Sequence, residues 1–233
     1  MEEKTTGELL QELSEIVEIL KVSLPKEAPL FFSKAIDPCR ALHLREACFH
    51  RVTELAESAY EAFLKKNTVV GYILLRSIME TVALFWYFYD KITDAIKTQD
   101  VHRIREMLSK ALAGAKAAKA KEAGWSLDPV HILKLIRHVA KATPPFEDHY
   151  DFLSEVAHPN AAGLISAYVK NDWDKKIAYF GKEHGKLGSV LAFDLGALIV
   201  ILNSFMDLYD RSAQQLEKFQ EICEVVLSNA DIS

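Results

Sequence analysis

The sequence predicts a mostly α-helical bundle of six to eight helices, with one small β-hairpin near residues 164–180. Three observations carry this. Half of the 233 residues are apolar, enough for a continuous core. Apolar residues recur at helical spacing over nearly the whole chain. Prolines and capping residues cut that pattern into segments of ordinary helical length. Neither an internal repeat nor a Gly/Ser-rich linker is visible, so residues 1–233 read as one domain. Its core spans about 40–210, and terminal helices over 6–24 and 210–229 pack on that core or on a partner.

The first element follows from Leu9, Leu13, Ile16 and Leu20, which share one helical face until Leu24 and Pro25 stop it. Residues 26–38, with three prolines at 25, 29 and 38 on or within their borders, read as irregular. A long amphipathic helix follows over 40–66. Thr68 is placed to cap the next, which runs to about Lys97 and holds the aromatic run Phe85, Trp86, Tyr87, Phe88, Tyr89. Asp100 precedes a helix to about Ala118, whose tail is low in complexity. Asp128 followed by Pro129 is a helix start, and Thr143-Pro144-Pro145 is a second one. That last helix must end near His158, because Pro159 disfavours helical geometry in the residue before it. Strands over 164–169 and 177–180 flank the polar turn Asn171-Asp172-Trp173-Asp174. A very long helix over 186–229 closes the chain.

Residues 69–89 and 187–209 are near the length a bilayer span requires. Arg76 and Glu80 interrupt the first, Asp194 and Asn203 the second, and such groups are costly in hydrocarbon. The expectation is therefore two central bundle helices and no membrane. The N-terminal stretch is acidic and amphipathic rather than a basic and apolar leader, so the cytoplasm is the expected location. Cys39, Cys48 and Cys223 are odd in number and lack metal-type spacing, which fits reduced thiols.

Net charge is −5, which argues against general affinity for nucleic acid, yet the charge is uneven. Residues 101–190 hold 14 Lys and Arg against 10 Asp and Glu, and the remainder 14 against 23. Lys134, Arg137 and Lys141 share one helical face, while Lys110, Lys116, Lys119 and Lys121 crowd an Ala-rich run. They form either a solvated face or a phosphate-binding patch.

Two polar groups of residues stand out. Arg76 and Glu80 lie four apart on an otherwise apolar helix, so they can pair. The pair either holds helices in register or presents a rigid guanidinium to an anion. Tyr150, Ser154 and His158 follow at i, i+4 and i+8 and line one side of a short helix. Asp194 is a third isolated charge, for which Arg76 and His158 are the natural neutralising partners. The catalytic candidates are thus His158, Arg76, Glu80 and Ser154, with Ser77, Tyr150 and Asp194 as ligand-binding candidates. The competing reading is an interaction module in which the cluster is purely structural.

Arg76-Ser77-x-x-Glu80 followed by Tyr150-x-x-Leu153-Ser154-x-x-x-His158-Pro159 resembles a bacterial family of helical proteins that has no agreed activity. That family is similar to the wider HEPN-like group, which includes metal-independent ribonucleases and parts of toxin and phage-defence systems. The resemblance covers about residues 40–210. It implies a helical fold and a pocket at Arg76, Ser77, Glu80, Tyr150, Ser154 and His158, with RNA or a nucleotide as ligand. The Arg-to-His spacing of that group's nucleases occurs at Arg45 and His50, a match that eight Arg and eight His produce by chance about once. Under the resemblance to those nucleases, His158 would serve as general acid or base and Arg76 would stabilise a phosphate.

No cofactor is expected. A di-metal carboxylate bundle needs two Glu-x-x-His pairs, and only Glu155 with His158 qualifies. Phosphate loops, dinucleotide fingerprints and Gly-x-Ser-x-Gly elbows are missing from the sequence. A homodimer is expected, because the amphipathic first helix and the stripe Leu216, Phe219, Cys223, Val226 offer more apolar surface than one bundle obviously covers.

Overall fold

The computed structural model describes residues 4–114, 122 and 128–230. Seven α-helices are found among these: α1 (Thr6–Val22), α2 (Ile36–Leu64), α3 (Thr68–Thr98), α4 (His102–Ala113), α5 (Ile132–Ala140), α6 (Pro145–Ala157) and α7 (Leu191–Ala230). A π-helical turn (Ala161–Ser166) and a 3-10 turn (Leu187–Val190) flank a two-stranded antiparallel hairpin, β1 (Val169–Asp172) and β2 (Ile177–Phe180). The fold is therefore the mostly α bundle with one hairpin that the sequence predicts.

Helix α3 is the axis. It packs against α2, α7, α5 and α6, and its inward face buries Tyr72, Leu75, Ile78, Met79, Phe85 and Phe88 completely. Phe85 stacks edge-on against Phe205 of α7, with ring centroids 5.1 Å apart. The buried apolar residues form one core running from α1 to α7.

Several boundaries shift from their expected places, each for a local reason. Helix α2 starts at Ile36 rather than near 40, because Pro38 falls in its first turn, where no intrahelical N–H bond is lost. Helix α5 starts at Ile132, not at Pro129. The chain at Pro129 instead passes extended beside Gly114, so closely that a Cβ on Gly114 would lie 2.6 Å from the Pro129 Cα. The first hairpin strand is Val169–Asp172, so Asn171 and Asp172 are strand residues and the turn is 173–176. Residues 161–166 form the π turn, started by the Asn160 side chain, which accepts from the N–H groups of Ala162 (2.9 Å) and Gly163 (3.1 Å). The expected low-complexity tail after Gly114, with Lys116, Lys119 and Lys121, lies outside the described residues.

Helices α3 and the last helix remain long and apolar enough to cross a membrane by length and composition. About half of the apolar window in each is buried inside the fold, 50% in Thr68–Thr98 and 44% in Leu187–Ser228. The terminal helices cover each other. Leu9, Leu13, Ile16, Val17 and Leu20 of α1 are buried, as are Leu216, Phe219 and Cys223 of α7, and α1 packs directly on α7. Thr5 starts α1 with a reciprocal cap, its hydroxyl accepting from the Glu8 N–H (3.3 Å) and its own N–H donating to the Glu8 carboxylate (2.7 Å).

Candidate functional site

Arg76 and Glu80 sit one turn apart on α3, and α6 brings Tyr150 against both. The Tyr150 hydroxyl donates to Glu80 Oε1 (2.9 Å) and accepts from Arg76 Nη2 (3.1 Å), and Arg76 Nη2 lies 3.3 Å from Glu80 Oε1. The ring also lies under the guanidinium, 5.2 Å from centroid to Cζ. Burial holds the Tyr150 phenol above its ordinary pKa. The three groups bond one another through Arg76 Nη2, while Arg76 Nε is buried without a partner and the two charged side chains stay about 30% exposed, 31% for Arg76 and 29% for Glu80.

The other expected members go elsewhere. Ser154 donates to the Tyr150 carbonyl (2.8 Å), a bond within its own helix, instead of to His158. Ser77 contributes its carbonyl, which accepts from the Thr81 hydroxyl (2.9 Å). His158 is the exposed C-terminal cap of α6 in extended geometry, and its ring has no hydrogen-bond partner among the described residues. The reason is the following proline, which turns the chain out of the helix there. His158 and Arg76 therefore share no contact.

Asp194 is hydrogen-bonded by residues the sequence reading passed over. It is 1% exposed, its carboxylate accepts from the hydroxyl of Tyr72, and its Oδ1 lies 2.9 Å from His149 Nε2. Tyr72 is fully buried, and burial together with the Asp194 carboxylate pushes its phenol pKa strongly up. This triad ties α3, α6 and α7 together. A third knot holds α2 to α7: Arg45 donates to Ser212 Oγ (2.8 Å) and the Tyr209 carbonyl (3.1 Å), pairs with Glu46, and stacks 3.5 Å over the Tyr209 ring. His50, by contrast, bonds the Pro25 carbonyl (2.8 Å), so Arg45 and His50 face different neighbours and form no common site.

Unsaturated polar groups collect at the other end of α3. A cleft of about 250 Å³ is lined by Tyr87, His131, Lys134, Arg137, His138 and Lys141. A second compartment of about 220 Å³ shares Tyr87, His131 and Lys134 with it and adds Arg103, Lys110 and Glu106. Some of these charges are matched. Arg137 pairs with Glu147 (3.1 Å), Lys110 with Glu106 (2.6 Å), and His138 Nε2 lies 2.7 Å from Asp90 Oδ2. Arg103, Lys134 and Lys141 are exposed and have no ion-pair partner among the described residues. Lys91 and Lys134 lie over the Tyr87 ring at 5.2 and 6.0 Å. The face shared by Lys134, Arg137 and Lys141 is legible in the sequence. Tyr87 is not, since an aromatic inside a run of five reads as core.

Among the described residues no three His, Cys, Asp or Glu side chains come together as a metal site would need. Fold and site together define a mostly helical protein with internal polar ties between its helices and a basic cleft that Tyr87 lines. Comparison with known protein families, with curated proteins and with solved structures found no match to this chain.

Proposed function

We propose that this chain is a cytoplasmic binding protein for a phosphate-containing ligand, with a short single strand of RNA as the ligand that best suits the cleft. The carrying observation is the lining of Tyr87, His131, Lys134, Arg137, His138 and Lys141, cationic residues and histidines around a single aromatic ring. Lysines and arginines neutralise backbone phosphates, and an aromatic face stacks a base without regard to sequence. Lys134 on α5 and Lys141, the residue that caps its C-terminus, are seven residues apart, so their Cα atoms are about 10 Å apart along the axis, enough to span more than one phosphate. Arg76, Glu80 and Tyr150 take the structural role in this reading, because each is already committed to the other two.

The test is fluorescence anisotropy with a labelled RNA of about twelve nucleotides, with a nucleoside triphosphate as a competing arm. Contact with about three phosphates predicts a log–log salt slope near −2. Changing Lys134 and Lys141 to Glu together should abolish binding while the fold is kept. RNA binding that ignores salt, or survives the double change, would contradict the proposal.

A second reading, cleavage, is favoured by one feature: the cleft holds two histidines, and His138 is oriented by Asp90 at 2.7 Å. An imidazole fixed by a carboxylate is suited to proton transfer at a phosphodiester. With chelator present, product from wild type and none from His138→Ala would establish it. The homodimer also stands as a proposal, though on a different surface. The terminal helices cover each other within one chain, while Phe193 and Val200, two turns apart on α7, are exposed. Light scattering giving a monomer mass at micromolar concentration would remove it.

A further inference from the structure

A separate groove of about 320 Å³ opens between α2, α3, α4 and α5, and the RNA-binding proposal makes no use of it. Its walls are mainly apolar, with Leu44, Leu84, Ile132 and Leu135 among them. That volume lies at the small end of the range of ligand pockets. Three charged residues line the groove: Arg51, Glu80 and Lys110. Two are already matched. Glu80 accepts from Tyr150 (2.9 Å) and pairs with Arg76 (3.3 Å), and Lys110 pairs with Glu106 (2.6 Å).

Arg51 differs from both. Its Nε donates to Thr81 Oγ1 (3.1 Å), and Thr81 in turn donates to the Ser77 carbonyl (2.9 Å), so one edge of the guanidinium is fixed to α3. No carboxylate lies within ion-pair distance of its other nitrogens among the described residues. The groove thus offers apolar walls and one uncompensated, oriented positive charge. Cys48, also in the wall, is buried, and burial pushes its thiol pKa up to about 12, so it is a neutral apolar contact there.

We propose that this groove binds a small amphipathic monoanion, a medium-length acyl or aryl carboxylate, whose apolar part lies against Leu44, Leu84, Ile132 and Leu135 and whose carboxylate meets the free edge of Arg51. A carboxylate matches the forked donors of a guanidinium, whereas an ammonium at the same place meets a like charge. A neutral chain of the same length gains only the apolar burial.

Calorimetric titration of the full chain with decanoate, decanol and decylammonium tests this. Decanoate should bind saturably, at least tenfold more tightly than decanol, and decylammonium should bind most weakly. Arg51→Gln should remove the preference for decanoate over decanol. Ala47 lines the groove and is exposed, so Ala47→Phe adds bulk at the mouth without entering the core and should weaken decanoate and decanol alike. Saturable binding of none of the three, equal binding of decanoate and decylammonium by wild type, or binding unmoved by Ala47→Phe would each overturn the proposal. The wild-type comparison of the three probes needs no variant to fold. Failure of RNA binding would leave it untouched, since Lys134 and Lys141 are not in the groove.

Discussion

The two halves of α3 handle polar groups in opposite ways. In the first half Tyr72, Arg76 and Glu80 each find partners on α6 or α7, and the Tyr72 hydroxyl is wholly sealed from water. In the second half Tyr87 lines a cleft whose cations include Arg103, Lys134 and Lys141, three without a carboxylate partner among the described residues. A network whose groups bond one another gains its energy from the fold and has less to offer a ligand, although Arg76 Nε stays without a partner there. Exposed unpaired cations contribute little to the fold and keep their binding capacity for an anion. The contrast separates stability from recognition on a single helix, and substitutions should separate them too.

The largest effect is expected at Asp194. Asp194→Ala leaves His149 without its carboxylate and the buried Tyr72 hydroxyl with only the Leu187 carbonyl (3.3 Å), which should lower unfolding free energy by about 2–4 kcal/mol in urea titration. A loss under about 1 kcal/mol would show that water or repacking replaces the carboxylate. Glu80→Ala leaves Tyr150 without its acceptor and Arg76 with only the Tyr150 hydroxyl, but at a site open to solvent, so its cost should be smaller, about 1–2 kcal/mol. Equal losses at the two sites would erase the distinction between a sealed tie and a half-exposed one.

The smallest effect concerns the capping box on α1. Bonds from Thr5 to the Glu8 carboxylate hold that group below its ordinary range. A carboxyl whose folded pKa is lowered stabilises above its unfolded value near 4.3 and loses that contribution as pH falls through the folded value. Fraying of α1, followed by amide exchange, should therefore rise below about pH 4, and Glu8→Gln should flatten this dependence.

Much of the fold was legible because helical periodicity and prolines are local signals. The ends of α2, α5 and β1 were not, because a proline reads as a breaker whether it falls inside a first turn, as Pro38 does, or beside a close backbone approach, as Pro129 does. At the candidate site, the i, i+4 spacing of Arg76 and Glu80 was readable, and the structure brings Tyr150 against both. His149 and Tyr72 were missed, since a partner for Asp194 was sought among the isolated charges, whereas a phenol and an imidazole on packed helices supplied it. His158 shows the reverse error: three residues at helical spacing share a face only until the helix ends, and Pro159 ends it there.

The most direct test compares Arg76→Ala with the combined change of Lys134 and Lys141 to Glu, measuring RNA affinity and urea stability on the same preparations. Arg76→Ala should lower stability by about 1–2 kcal/mol and leave affinity within about twofold. The lysine changes should leave stability within about 0.5 kcal/mol and reduce affinity more than tenfold. The opposite pattern, with affinity lost at Arg76 and kept without the two lysines, would contradict the assignment of recognition to the cleft and return it to the Arg76 cluster.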